Sequence, residues 1–251
     1  MIHFVGAGPG APDLITVRGK ALIEQADVII YAGSLVNAEL LDYAKPECII
    51  RNSARMTLEE VIAVMEEAVR AEKATVRLHT GDPSVYGAIR EQMDLLREKG
   101  IPYEVVPGVS SFCGAAAALQ AEYTLPGVSQ TVILTRMAGR TPVPERESIR
   151  LLAAHGASMA IFLSAGMLHE LQQELLEGGL LPDTPAAIVY KATWPEEKVL
   201  RGTVGVLASM AEAHDIDKTA LILVGRFLGE DYDRSLLYDP AFSHGFRDSQ
   251  P

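Results

Sequence analysis

Ala74-Thr75-Val76-Arg77-Leu78-His79-Thr80, running straight into Gly81-Asp82-Pro83-Ser84-Val85-Tyr86-Gly87, is the stretch on which the fold turns. It reads as a strand that breaks into a sharp glycine loop. A polar-faced helix follows over 88–99, stopped by Gly100. A second strand, Tyr103-Glu104-Val105-Val106, runs into Pro107-Gly108-Val109-Ser110-Ser111, and an Ala-rich helix closes the unit near Gln120. Two adjacent βα units of this kind place two loops side by side at the carboxyl ends of parallel strands, the edge where open α/β sheets bind ligands. Gly81 and Gly108 are expected to remove side-chain bulk where a ligand meets backbone. Asp82 offers a carboxylate to hydroxyl or amino groups. Asp82 with Pro83 is also the N-cap and first-turn pairing of a helix. Capping does not account for two glycine loops on successive strands followed by a helix of small residues.

At 251 residues the chain has room for one large or two small domains. A net charge of −11 and a pI near 5.0 argue against a general nucleic-acid binder, which needs a basic field. An anionic substrate remains compatible, held in a local basic pocket. The two cysteines, Cys48 and Cys113, fit neither a C-x-x-C spacing nor a disulfide framework, and Cys113 is expected as a small core residue. The first residues enter a strand at once, with no charged leader and apolar run, and no stretch is apolar enough to span a bilayer. No membrane association is expected, and the reducing cytoplasm is the expected location.

Working outward, the first strand covers 2–5 and leads into Gly6-Ala7-Gly8-Pro9-Gly10-Ala11-Pro12. This fits the dinucleotide fingerprint G-x-G-x-x-A. However, Pro9 and Pro12 remove backbone N–H groups from the loop, and the next strand, 27–31, ends in Tyr31-Ala32-Gly33-Ser34 with no acidic residue for a ribose. The loop therefore reads as a ligand rim rather than a nicotinamide site. Thr16 is placed to cap a helix over 17–25. A short third strand near 48–50 precedes Arg51 and Arg55. Thr57-Leu58-Glu59-Glu60 is a capping box, and Leu58, Val61, Ile62, Met65 and Val69 form the core stripe of its helix. Pro126 and Gly127 mark 121–129 as a linker. Strands then recur at 130–135, 159–163, 186–190, 198–201 and 220–225, with helices over 167–177 and 204–213. The fold class is α/β, with two α/β domains at 1–120 and 130–230 and a polar tail at 231–251.

The six histidines show no metal-ligand spacing, and no metal is expected. No nucleophile elbow and no Walker motif is present. His79, one residue from the Gly81 loop, reads as a packed histidine, with a pocket role second. A chain rich in glycine loops and poor in acid–base groups suits a reaction whose reactivity arrives with a cofactor. Transfer from an activated methyl donor is such a case, needing in-line positioning and a dry site.

These motifs carry a resemblance. Gly6-Ala7-Gly8-Pro9-Gly10-Ala11-Pro12-Asp13-Leu14-Ile15-Thr16 resembles the opening motif of the tetrapyrrole methylases, and 81–87 with 104–112 resembles their second signature. The similarity continues through 133–140, 192–197 and 237–242, closest to a branch acting in cobalamin synthesis. The resemblance implies two α/β domains with a ligand cleft between them, a homodimer, S-adenosylmethionine as methyl donor and a tetrapyrrole substrate. The family's donor-site positions fall on Pro9, Thr80, Gly81, Asp82, Val85, Ser110, Ser111, Leu163, Ala192, Thr219 and Ala220. Uroporphyrinogen methylases often carry Gly-Asp-Pro where this chain has Gly10-Ala11-Pro12, and Met in place of Leu163. The substrate's carboxylate arms call for cations, and Arg136 and Arg140 lead Arg18, Arg55 and Lys191 as candidates. No general base is assigned: an electron-rich ring carbon attacks the methyl directly. The rival readings are a sibling methylase acting on another ring carbon or on RNA or protein, a nicotinamide oxidoreductase, and a non-catalytic tetrapyrrole carrier.

Overall fold

The computed structural model describes residues 1–249; Gln250 and Pro251, the end of the expected tail, lie outside the described residues. The chain divides into two compact units. One is Met1–Gly114 together with Ala192–Pro195, and the other is Ala115–Lys191 with the chain from Glu196 onward. The division falls after Gly114, ahead of the 121–129 stretch.

The first unit runs β1 (Ile2–Gly6), α1 (Val17–Gln25), β2 (Val28–Tyr31), β3 (Ile49–Asn52), α2 (Leu58–Arg70), β4 (Thr75–His79), α3 (Arg90–Glu98), β5 (Tyr103–Val106) and the start of α4 (Ser111–Leu119). Its five strands are all parallel, in the order β3-β2-β4-β1-β5. β2 is a continuous apolar run, as expected where helices cover both faces, whereas the middle strand β4 alternates and buries Thr75, Arg77 and His79. Phe4 and Ile30 point to one face, where Val61, Ile62, Met65 of α2 and Leu96 of α3 pack. Val5 and Ile29, one residue along, point to the other, against Ile23 of α1 and Leu40.

Local chemistry sets the helix starts. Thr16 caps α1 by accepting from the Gly19 amide. The capping box of α2 is complete: Thr57 Oγ1 accepts from Glu60 N, and Glu60 returns a carboxylate to Thr57 N. By contrast, α3 begins at Arg90 rather than directly behind Asp82-Pro83, because Tyr86 and Ala88 hold left-handed backbone (φ 55° and 49°) that no α-helix accommodates.

The second unit contains β6 (Val132–Arg136), α5 (Ile149–Ala153), β7 (Ser158–Phe162), α6 (Leu168–Glu177), β8 (Pro185–Tyr190), β9 (Lys198–Thr203), α7 (Leu207–Glu212) and β10 (Ala220–Val224). Its sheet order is β6-β7-β10-β8-β9. Only β6 and β7 pair in parallel, and β10 runs antiparallel to both its neighbours. One core joins Met159, Ile161, Ile188, Ile222 and Val224 of the sheet to Leu171 and Leu175 of α6 and Leu207 of α7.

Candidate functional site

In the first unit β1 and β4 lie side by side with Gly6 opposite His79. The loop after β1 leads to α1 on one face of the sheet, and the loop after β4 leads to α3 on the other. Neighbouring strands whose connections part to opposite faces form the topological switch point, where a crevice opens at the carboxyl edge.

Backbone fills the base of that crevice. Gly8 and Gly81 pair across it, Gly81 N donating to Gly8 O at 2.9 Å and Gly8 N to Gly81 O at 3.3 Å. Both sit at positive φ, +80° and +60°. Gly108 differs from the expectation that it leaves room for a ligand. A Cβ there would collide with Gly81 O and lie 2.7 Å from Gly6 Cα, so this glycine allows loops to touch one another. At Gly81 a Cβ would meet nothing nearer than Ser110 Cα at 3.5 Å, so the left-handed turn is what needs glycine there.

Asp82 stitches the two loops together. Oδ2 accepts from Gly108 N at 2.9 Å, while Oδ1 accepts from Ser84 N at 2.8 Å and from the Ser84 hydroxyl. Partial burial opposes its ionisation, but the Ser84 hydroxyl and the Gly108 and Ser84 amides outweigh that and hold the carboxyl below its ordinary value. Val85 follows in the same turn, its amide donating to Asp82 O at 3.2 Å. Ser110 is buried, and Ser111 opens α4. Thr80 carries a buried Oγ1 with no hydrogen-bond partner.

Cys113 is exposed, which corrects its expected place in the core: it stands one turn into α4, at the rim. Partial burial and the nearby Asp82 charge both push its thiol up, away from nucleophilic use. His79 is packed, as read, 3% exposed with its ring tilted against Phe4. Burial first, and the Arg77 charge second, lower its pKa to about 3, so it stays neutral. Arg77 is itself buried, bonded to Gln92 Oε1 at 3.2 Å and Ile30 O at 3.2 Å.

The first loop is gripped by the short segment Ala192–Pro195, which belongs to this unit although β8 and β9 flank it in sequence. Trp194 Nε1 donates to Pro9 O at 3.1 Å, and Ala11 N donates to Thr193 Oγ1 at 3.0 Å. Asn37 Nδ2, buried, donates to Gly10 O at 3.0 Å. Ala192 is buried. The loop then enters a 3-10 turn, Pro12–Leu14, before α1 begins at Val17. No helix N-terminus follows the glycines directly, which argues against pyrophosphate binding of the dinucleotide kind.

In the second unit the ends of β6, β7 and β8 and the start of β10 share one sheet edge. Three residues there, Leu163, Lys191 and Thr219, hold left-handed backbone at φ 53°, 47° and 53°. Lys191 N donates to Thr219 O at 2.9 Å, and Ala220 pairs with Tyr190. Leu163 is 66% exposed, unusual for a leucine in a strained conformation. Such strain in non-glycine residues collects at ligand-binding positions.

Arg136 ends β6 and spends its guanidinium on its own loop: Nη1 donates to Met137 O and Thr141 O, and Nη2 to Pro142 O at 2.8 Å. Arg140, on that loop, is exposed. Lys191 Nζ lies 3.4 Å from Glu196 Oε2. Arg18 is exposed on α1, and Arg55 is exposed in the turn after β3, the outer strand of the first sheet. Within the first unit Pro9, Thr80, Gly81, Asp82, Val85, Ser110, Ser111 and Ala192 therefore gather around β1, β4, β5 and α4, whereas Arg55 stands two strands away from β4. Within the second unit Arg136, Leu163, Lys191, Thr219 and Ala220 share an edge. Sequence reading assigned nothing to Asn37, Thr193 or Trp194; an Ala-Thr-Trp-Pro run between two strands was the available signal.

Within the first unit the residues fit a nucleoside methyl donor: Thr80 offers an orphaned buried hydroxyl beside glycine turns at positive φ. Among the described residues no group of three metal-ligating side chains is assembled, and no helix is long and apolar enough to cross a membrane.

A wholly parallel sheet with a glycine rim, and a mixed sheet with strained corners at one edge, define a two-unit α/β protein. The chain belongs to the Tetrapyrrole (Corrin/Porphyrin) Methylases, whose family model matches residues 1–208. It is 56% identical over 249 residues to the cobalt-precorrin-4 C(11)-methyltransferase of Methanocaldococcus jannaschii, covering 99% of this chain and 96% of that one. The solved structure of a cobalamin biosynthetic enzyme, cobalt precorrin-4 methyltransferase, superposes with a TM-score of 0.90 at 48% identity, over 91% of this chain and 96% of that one. A uroporphyrin-III C-methyltransferase from Thermus thermophilus, complexed with S-adenosylhomocysteine, follows at TM-score 0.72 and 27% identity, over 90% and 92%.

Proposed function

We propose that this chain transfers a methyl group from S-adenosylmethionine to C11 of cobalt-precorrin-4, or of its metal-free counterpart, during corrin ring synthesis. The observation that carries this is full-length identity above one half to an enzyme of that name. When bound, the donor supplies an electrophilic methyl on a sulfonium whose charge is lost on transfer.

The chain's own residues bind and align. In this reading Thr80 Oγ1 gains its missing partner from the donor, and Gly81, Val85, Ser110 and Ser111 present backbone to it. Pro9 and Ala192 line the same place, and the family resemblance adds Leu163, Thr219 and Ala220 of the second unit as donor contacts. Asp82 holds the loops rather than a proton, since both its oxygens are engaged. His79 is neutral and packed and serves no proton transfer. Arg140, Arg18 and Arg55 meet substrate carboxylates. Lys191 joins them from beside Glu196, and Arg136 acts by shaping the loop that carries Arg140. The same reading makes the protein a homodimer, as the family resemblance implies, and gives it a cytoplasmic location.

The test is incubation of purified protein with the donor and either tetrapyrrole. One methyl gained per macrocycle, located at C11 by NMR, is the expected product. A methyl on another ring carbon would establish the sibling reading, and tetrapyrrole binding without transfer would establish a carrier.

A further inference from the structure

The first loop owes its shape to side chains that lie far away in sequence. Pro9, Gly10 and Ala11 each have one backbone polar group held from outside, by Trp194, Asn37 and Thr193 respectively. Two of those three holders come from the single segment Ala192–Pro195. Gly10 is not at positive φ, so its backbone conformation does not demand glycine. Space does: a Cβ on Gly10 would lie 2.9 Å from Ala192 O and would collide with Cδ1 and Nε1 of the Trp194 ring. Gly10 is thus the seat of the indole. Gly114, at the fourth residue of α4, is small for a related reason, since a Cβ there would press on Pro9 at 3.0 Å and on Thr193 at 3.2 Å. Thr193 accepts a left-handed conformation (φ 69°) costly for a β-branched residue, the kind of strain retained where position matters.

We propose that Ala192–Pro195 is a latch, and that Trp194, seated on Gly10, is a positioning residue for the methyl donor. The latch sets Pro9 and Ala192 at a fixed spacing against Gly10, so a donor touching both is read by a preformed surface rather than by a mobile loop. This rests on the donor reading given above. It goes further by assigning the alignment to an indole that itself need not touch the donor. Trp194 is the chain's single tryptophan, so its emission reports on the rim and on nothing else.

The test titrates the full-length protein with S-adenosylhomocysteine by calorimetry and by tryptophan emission. Wild type is expected to bind with a change in emission. Trp194→Phe keeps an aromatic ring on the segment and removes the N–H to Pro9 together with the pyrrole edge that rests on Gly10. It is expected to weaken binding about 2- to 10-fold, the range for one lost hydrogen bond, with kcat at saturating donor retained. Gly10→Ala, which unseats the indole, is expected to weaken binding more, and Gly10→Ala with Trp194→Ala to recover part of that loss. Unchanged affinity in both single variants, with only a lower melting temperature, would show that the segment is structural and overturn the latch. Should Gly10→Ala not fold, the affinity of Trp194→Phe decides. Failure of wild type to bind S-adenosylhomocysteine would remove the donor reading as well, which sets that result apart from the failure of the latch alone.

Discussion

Asp82 shows how a conspicuous residue can be structural. Its carboxylate accepts from two amides and a hydroxyl, joining the loops after β4 and β5. Asp82→Ala strands those donors at a partly buried site and is expected to cost about 1–2 kcal/mol. Donor affinity and methyl transfer should fall together; full donor binding with abolished transfer would instead assign the carboxylate a chemical role. Its folded-state pKa lies below the ordinary 3.8, so its stabilisation is present above that value and lost as pH falls through the folded one. His79 acts in the same direction over a different window. The folded side chain resists protonation down to about pH 3, whereas the unfolded one takes a proton near its ordinary 6.5. Acidification from 6.5 toward 3 therefore favours unfolding. His79→Leu removes the unpartnered Nε2 and should flatten that limb in urea melts recorded at several pH values, with little loss at neutral pH.

At the scale of elements, Thr57→Ala tests a cap distant from the rim. Loss of the capping box should cost about 1 kcal/mol, a fall in Tm of about 2–4 °C, with donor affinity unchanged. The Arg136 loop should behave differently. Arg140→Ala is expected to raise KM for the tetrapyrrole several-fold at constant donor affinity. Arg136→Lys, which cannot reproduce the fork onto Met137, Thr141 and Pro142, should do the same through a loosened loop. Steady-state kinetics with each substrate varied in turn separates these effects.

Elements of this kind were largely legible beforehand. Apolar runs marked each strand to within a residue or two, and Thr16 and Thr57 marked their helices, because these signals are local. Less could be read where distant chain decides. Nothing in Ala220–Val224 announces that it runs against both neighbours. Leu163, Lys191 and Thr219 carry no glycine or asparagine flag for left-handed backbone. Gly108 looked like space for a ligand until Gly6 and Gly81 were seen to occupy it. Cys113 looked apolar in an Ala-rich run, yet it lies on the open side of α4.

For the molecule as a whole, ligand linkage gives the broadest check. S-adenosylhomocysteine at 100 times its Kd should add about 2.7 kcal/mol of stability. That is a rise in Tm of about 5–10 °C for a chain of this size, whereas NAD at equal concentration should leave the melt unmoved.

The segment Ala192–Pro195 also bears on how the chain is made. The first unit's five strands and its helices up to the start of α4 have been synthesised once Gly114 is added, but Pro9 and Ala11 still lack the groups that will hold them. Those groups arrive only when synthesis has reached Pro195, a lag on the order of 4–16 s at ordinary elongation rates. Over that interval the nascent amino-terminal half exists with its glycine loop unsecured. Chaperone capture or pulse proteolysis of stalled translation products should find residues 6–12 accessible before residue 195 emerges and protected afterwards.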